Sequence, residues 1–145
     1  MSFPVIAAGA AGLLICLQQA LMMNVGFTRS RLGVGAGTGD DRTLERRMRR
    51  HANLAENAAL FIAALALAEL AGAPSLLLLG VTGLFVVARI SHAIGFVSEA
   101  GSHLVGGGGT FLALRAAGAA GTALSGFVLG AYLLYLAIGS GAAPV

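Results

Sequence analysis

The sequence predicts an all-α membrane protein, a single domain built as a four-transmembrane-helix bundle, and three observations carry that prediction. Of its 145 residues 57% are hydrophobic and only 10% charged, with a mean hydropathy of +0.87. An ordinary soluble domain holds about 25% charged residues, so this chain cannot cover itself with a water-facing surface. Four apolar runs are each long enough to cross a bilayer core of about 30 Å, which takes about 20 helical residues. All nine basic residues are arginine, and seven of them lie between Arg29 and Arg50. Charge gathered in this way sets topology and offers a local anion site, so the formal charge of +3 is no sign of a nucleic-acid partner. The composition also excludes a soluble enzyme and a disordered tail.

The first run, Phe3–Phe27, has no basic residue ahead of it and no clear small-residue cleavage site, so it reads as a retained span rather than a signal peptide. Cys16 inside it is the lone cysteine, which rules out an intramolecular disulfide and gives no metal spacing; no metal is expected. The long connection that follows, residues 28–51, contains the glycine-rich Gly33–Asp41. Its GxGxxG-like spacing follows no strand and reads as a flexible linker, not a nucleotide loop. Asp40 or Asp41 can N-cap an amphipathic extension, Arg42–His51, that runs without a breaker into the second span, Ala52–Ala71. Gly72-Ala73-Pro74-Ser75 then makes a tight turn, with Pro74 where a new helix starts, so the third span, Ser75–Val97, is antiparallel to the second. The Ser98–Gly109 connection carries Glu99, His103 and the Gly106–Gly109 run, and the fourth span covers Thr110–Ile138. The arginine contrast places the 28–51 loop in the cytoplasm with Ser98–Gly109 beside it, and both termini outward.

Ionisable groups inside a span cost several kcal/mol unless paired, which makes them candidates for function. Arg46, Arg49, Asn53 and Glu56 are spaced 3, 4 and 3, and at 100° per residue they stay within an arc of about 80°. This polar stripe descends about two turns into the apolar region. Arg47 and Arg50, off the stripe, read as snorkelling arginines at a solvated helix end. On span three, Arg89 and His92 are one turn apart on one face, with Phe96 a turn further on. Glu56 is the acid at a matching depth, so an Arg89–Glu56 ion pair is expected; the pair alone could serve only to hold two helices together. Arg115 near the head of span four either snorkels to headgroups or faces an anion with Arg46, Arg49 and Arg89. Gly118, Thr122, Ser125 and Leu129 share its face, and with Gly9, Gly12, Gly121, Gly126 and Gly130 they read as close helix-packing surface. Interfacial placement accounts for Glu69 at the outer end of span two.

Glu45-Arg46-x-x-Arg49-x-His51-x-Asn53-x-x-Glu56, followed by Ala88-Arg89-x-x-His92-x-x-Gly95-Phe96 and by Arg115, resembles the MAPEG family, the membrane-associated proteins in eicosanoid and glutathione metabolism. The likeness runs from Val25 to about Tyr135 and is nearest to small bacterial members. It implies a homotrimer that binds glutathione as its thiol substrate between subunits, open to the cytoplasm, in a bacterial inner membrane. Carried onto matching positions, Arg49, Asn53 and Glu56 bind the tripeptide, Arg29 and Arg89 assist, and Arg115 faces the sulfur as the catalytic residue. Arg46 and His92 complete the expected glutathione-binding set. Guanidinium forks suit the two carboxylates of glutathione, and Glu56 or Asn53 can meet its ammonium.

The sequence departs from the family where tyrosine and proline often follow the glutamate, holding Asn57 and Ala59 instead. His92 and Phe96 stand where tyrosines are common on span three, and Tyr132 and Tyr135 lie more than about 25 Å along the helix from Arg115. Two functions therefore remain open. One is a membrane-bound glutathione transferase or peroxidase acting on lipophilic small molecules that arrive through the membrane lipid. The other is a non-catalytic scaffold or accessory subunit of the same fold. A transporter fits less well, since four spans show no obvious inverted repeat.

Overall fold

In the computed structural model, which describes residues 3–99 and 109–141, the chain forms four helices: α1 (Val5–Leu32), α2 (Arg42–Leu70), α3 (Ser75–Gly95) and α4 (Gly109–Gly141). All four are long and apolar enough to cross a membrane. Residues 100–108, with His103 and most of the expected glycine run, lie outside the described residues.

Helix boundaries follow local chemistry. Gly33, at φ +66°, closes α1, and its N–H is taken by the carbonyls of Arg29 and Ser30; the left-handed conformation favours glycine at this position. The 28–51 connection is consequently mostly helix, and only residues 33–41 are a loop. Asp41 caps α2, accepting the Leu44 N–H at 2.6 Å, and the Arg42–His51 extension runs unbroken into the apolar part of the helix. Pro74 precedes the first residue of α3, and Gly72, at φ +81°, reverses the chain.

The interior is a thin apolar cluster that includes Leu14, Phe61, Leu65, Leu78, Phe85 and Leu129. Phe61 and Phe85 stack across α2 and α3 with ring centroids 3.8 Å apart. The exterior is also apolar, with Leu60, Leu76, Phe127 and Ile138 facing outward, as helices surrounded by lipid require. Cys16 is among the exposed residues.

The closest backbone approach is between α3 and α4. A Cβ placed on Gly118 would lie 2.6 Å from the Ala88 carbonyl oxygen, and one on Gly95 would lie 2.7 Å from the Arg115 backbone nitrogen. Gly121 meets Ala88 in the same seam. Ser125 and Leu129 on this face are buried, and Thr122 and Ser125 return their hydroxyls to carbonyls of their own helix, as polar side chains do in an apolar setting. Gly9, Gly12, Gly126 and Gly130 behave otherwise: each faces open space within the chain, so the packing surface read from the sequence is confined here to the Gly118–Leu129 face.

Opposite this seam, α1 and α2 are joined by polar groups. Gln18 Nε2 lies 2.7 Å from His51 Nε2, Arg50 donates to Asn24 at 3.3 Å, and Arg47 donates to the Thr28 hydroxyl. Arg47 and Arg50 thus turn onto α1 instead of snorkelling outward, because α1 continues as helix past Phe27 and presents Asn24 and Thr28 at their level. At the other end of the same pair, the Glu69 carboxylate accepts the N–H groups of Ile6 and Ala7 at 2.9 and 2.8 Å. Pro4 supplies no side-chain cap, so Glu69 is the cap of α1, a role more specific than interfacial placement.

Candidate functional site

The polar stripe of α2 opens onto a cavity of about 660 Å³ where the N-terminal part of α2 meets the C-terminal end of α3 and the head of α4. Six of the eight residues singled out in the sequence line it: Arg46, Arg49, Asn53, Glu56, His92 and Arg115. One helix face delivers the first four, as the 3, 4, 3 spacing requires. The glycine seam delivers the other two. With no side chain at Gly95 or Gly118, α4 presses against α3 until the Arg115 backbone lies beside Gly95. The Arg115 guanidinium then sits over the Phe96 ring, 4.6 Å from its centroid, in a cation–π arrangement. His92 packs on the other side of the motif, 5.1 Å from Phe96 centroid to centroid.

Arg89 and Arg29 are placed elsewhere. Arg89 is 3% exposed and does not reach the large cavity. It donates to the Asn53 side-chain oxygen, to the Asn53 carbonyl at 3.2 Å and to the Gly118 carbonyl at 3.4 Å, with Phe85 beneath it at 5.9 Å. The expected Arg89–Glu56 ion pair is therefore not formed. Arg89 is level with Asn53, one turn earlier on α2, while Glu56 is exposed on the cavity side. An amide and two carbonyls hold the two terminal nitrogens of the guanidinium without a buried countercharge, while its Nε is buried without a partner, and the Glu56 carboxylate faces the cavity. Arg29 lies behind α2 in a cavity of about 470 Å³, which Arg49 and Glu45 also line, and its guanidinium meets the Met48 sulfur at 3.2 Å.

Three further residues belong to the site although the stripe did not name them as binders. Arg42 and Glu45 extend the large cavity by a turn, and Glu45 reaches both cavities. Asn57 folds back to donate to the Asn53 carbonyl at 2.8 Å, so this carbonyl is fixed by Asn57 and Arg89 together. Arg42 and Glu45 continue the α2 face upstream and were legible as such; the role of Asn57 depends on a rotamer that no spacing gives. Tyr132 and Tyr135 pair with one another, 6.2 Å between ring centroids, and neither lines the cavity.

Four apolar helices around a thin core, with an arginine-rich cavity at one end, define an integral multi-pass membrane protein. The chain matches the model of the MAPEG family over residues 7–135, nearly its whole length, and it belongs to that family. Membership places it in general among membrane proteins of glutathione and eicosanoid metabolism. No curated protein and no solved structure matched it in the same comparisons.

Proposed function

We propose that the protein binds glutathione in the large cavity and uses it as the thiol in transfer to a lipophilic electrophile or in reduction of a lipid hydroperoxide. The observation that carries this reading is one cavity holding Arg49, Asn53 and Glu56 together with Arg115 on Phe96. Guanidinium groups meet the two carboxylates of the tripeptide, and Glu56 meets its ammonium. Arg115 then faces the sulfur and favours the thiolate. In transfer the thiolate attacks an electrophilic carbon, a C–S bond forms, and the leaving group departs with the electron pair while the thiol proton passes to water. In peroxide reduction two thiols are oxidised to a disulfide and the hydroperoxide becomes an alcohol and water. Arg89 does not touch the ligand in this scheme; it is a positioning residue that fixes Asn53.

The same reading places the arginine-bearing end in the cytoplasm of a bacterial inner membrane with both termini outward. It assembles three chains, with the tripeptide held between neighbouring subunits and Arg29 assisting from the cavity behind α2. Calorimetric titration of the detergent-solubilised protein with glutathione tests it: saturable binding that Arg49→Ala weakens supports the site, and no heat of binding in the wild type overturns it. A non-catalytic scaffold of the same fold is the second reading. It is favoured by one observation, that among the described residues no tyrosine lines the cavity.

A further inference from the structure

We propose that the arginine-bearing end of the α1–α2 seam is a second anion site, adjoining the large cavity at Arg46 and Phe96, that takes a phosphate group. The site is a cavity of about 220 Å³ whose polar lining is Arg46, Arg47, Arg50, Asn24 and Thr43, with Phe96 on its apolar side. Among the described residues no carboxylate lines it. Three guanidinium groups around so small a space repel one another unless an anion lies among them.

Their geometry is already fixed. Arg47 is held by Thr28, Arg50 by Asn24, and Arg46 by Thr43 at 3.1 Å. Each guanidinium has five N–H donors, and these contacts use only part of them. Arg46 Nε and Arg50 Nε are buried and have no hydrogen-bond partner, a costly state for donors on a cation. The acid that reaches the cluster is Glu99, 3.1 Å from Arg46 and 68% exposed, where an ion pair contributes little. A tetrahedral oxyanion has enough acceptors to meet several guanidiniums at once, which suits a phosphate group. Its source is either a membrane lipid, whose phosphates lie level with basic pockets at the ends of spanning helices, or a soluble phosphate.

Thermal unfolding of the purified protein in a neutral detergent tests the site, with three titrants at constant ionic strength: short-chain phosphatidic acid, chain-matched diacylglycerol and inorganic phosphate. Saturable stabilisation by phosphatidic acid and not by diacylglycerol is expected. A matching effect of inorganic phosphate assigns the soluble source, and its absence assigns the lipid. The R47Q/R50Q double variant should bind about tenfold more weakly or worse, since each charge-assisted bond carries roughly that factor. Because both side chains also brace α1, T43D is the second variant. It keeps both braces and places a carboxylate beside Arg46, and it should lose the stabilisation too. Helical circular dichroism confirms that each variant is folded. Equal effects of phosphatidic acid and diacylglycerol, or wild-type affinity in either variant, would overturn the proposal, whatever the outcome with glutathione.

Discussion

At the scale of single residues, the division of labour among the arginines has consequences that differ in kind. In the proposed site Arg49 would meet a carboxylate that is the same in ground and transition states, so Arg49→Ala should weaken glutathione binding first. Arg115 would act there on the charge of the sulfur, so Arg115→Ala should cut kcat by about 100-fold with a smaller change in affinity. The pH profile of conjugation to an aromatic electrophile, read beside the ultraviolet absorbance of the bound thiolate, separates the two. Arg89 predicts a stability effect. Removing the Asn53 side chain strands part of a buried guanidinium and should cost about 3–5 kcal/mol, whereas Arg89→Leu strands the Asn53 amide oxygen, the Gly118 carbonyl keeping the Thr122 hydroxyl, and should cost about 1–3 kcal/mol. Glu56→Gln should leave the melting temperature almost unchanged, because its carboxylate is exposed on the cavity side. The stripe of α2 was readable because four residues on one helix share a face by geometry alone. The partner of Arg89 was not, since a shift of one turn between α2 and α3 exchanges Asn53 for Glu56, and hydrophobic spacing does not resolve one turn.

At the scale of elements, two devices hold the helices where the site needs them. The first is the glycine seam. A methyl group on Gly118 would stand 2.6 Å from backbone on α3, so Gly118→Ala must separate the helices, at a cost of about 1–3 kcal/mol in thermal unfolding. In the proposed site it should also lower kcat more than affinity, because Arg115 is carried on the displaced helix. The second device is the Glu69 cap. Glu69→Ala should cost about 1–2 kcal/mol and raise hydrogen exchange at the Ile6 and Ala7 amides, while Glu69→Gln, which keeps one acceptor oxygen, should lie between. Helix starts at Asp41 and Pro74 were legible because their signals are local. The polar groups of the α1–α2 seam were not: Gln18, Asn24 and Thr28 find partners 33, 26 and 19 residues away, and only the rotation of α1 shows that they face α2 and not lipid.

At the scale of the whole molecule, the alternating course of the four described helices puts the start of α1 and the end of α4 at one end of the bundle and the residue 33–41 loop at the other. A cysteine at Gly37, introduced with Cys16 replaced by alanine, should be labelled only when reagent reaches the cytoplasmic face; labelling from outside would reverse the proposed orientation. Native mass spectrometry of the solubilised protein should give three copies of the 14.5 kDa chain. The open faces of Gly9, Gly12, Gly126 and Gly130 leave room for such neighbours. The Glu69 cap also sets an order in time. The carboxylate that closes α1 is made 62 and 63 residues after the amides it meets. At about 5–20 residues per second this is a delay of about 3–13 s. Until then the first turn of α1 must remain in contact with water, so the nascent chain settles as a completed hairpin and not one helix at a time.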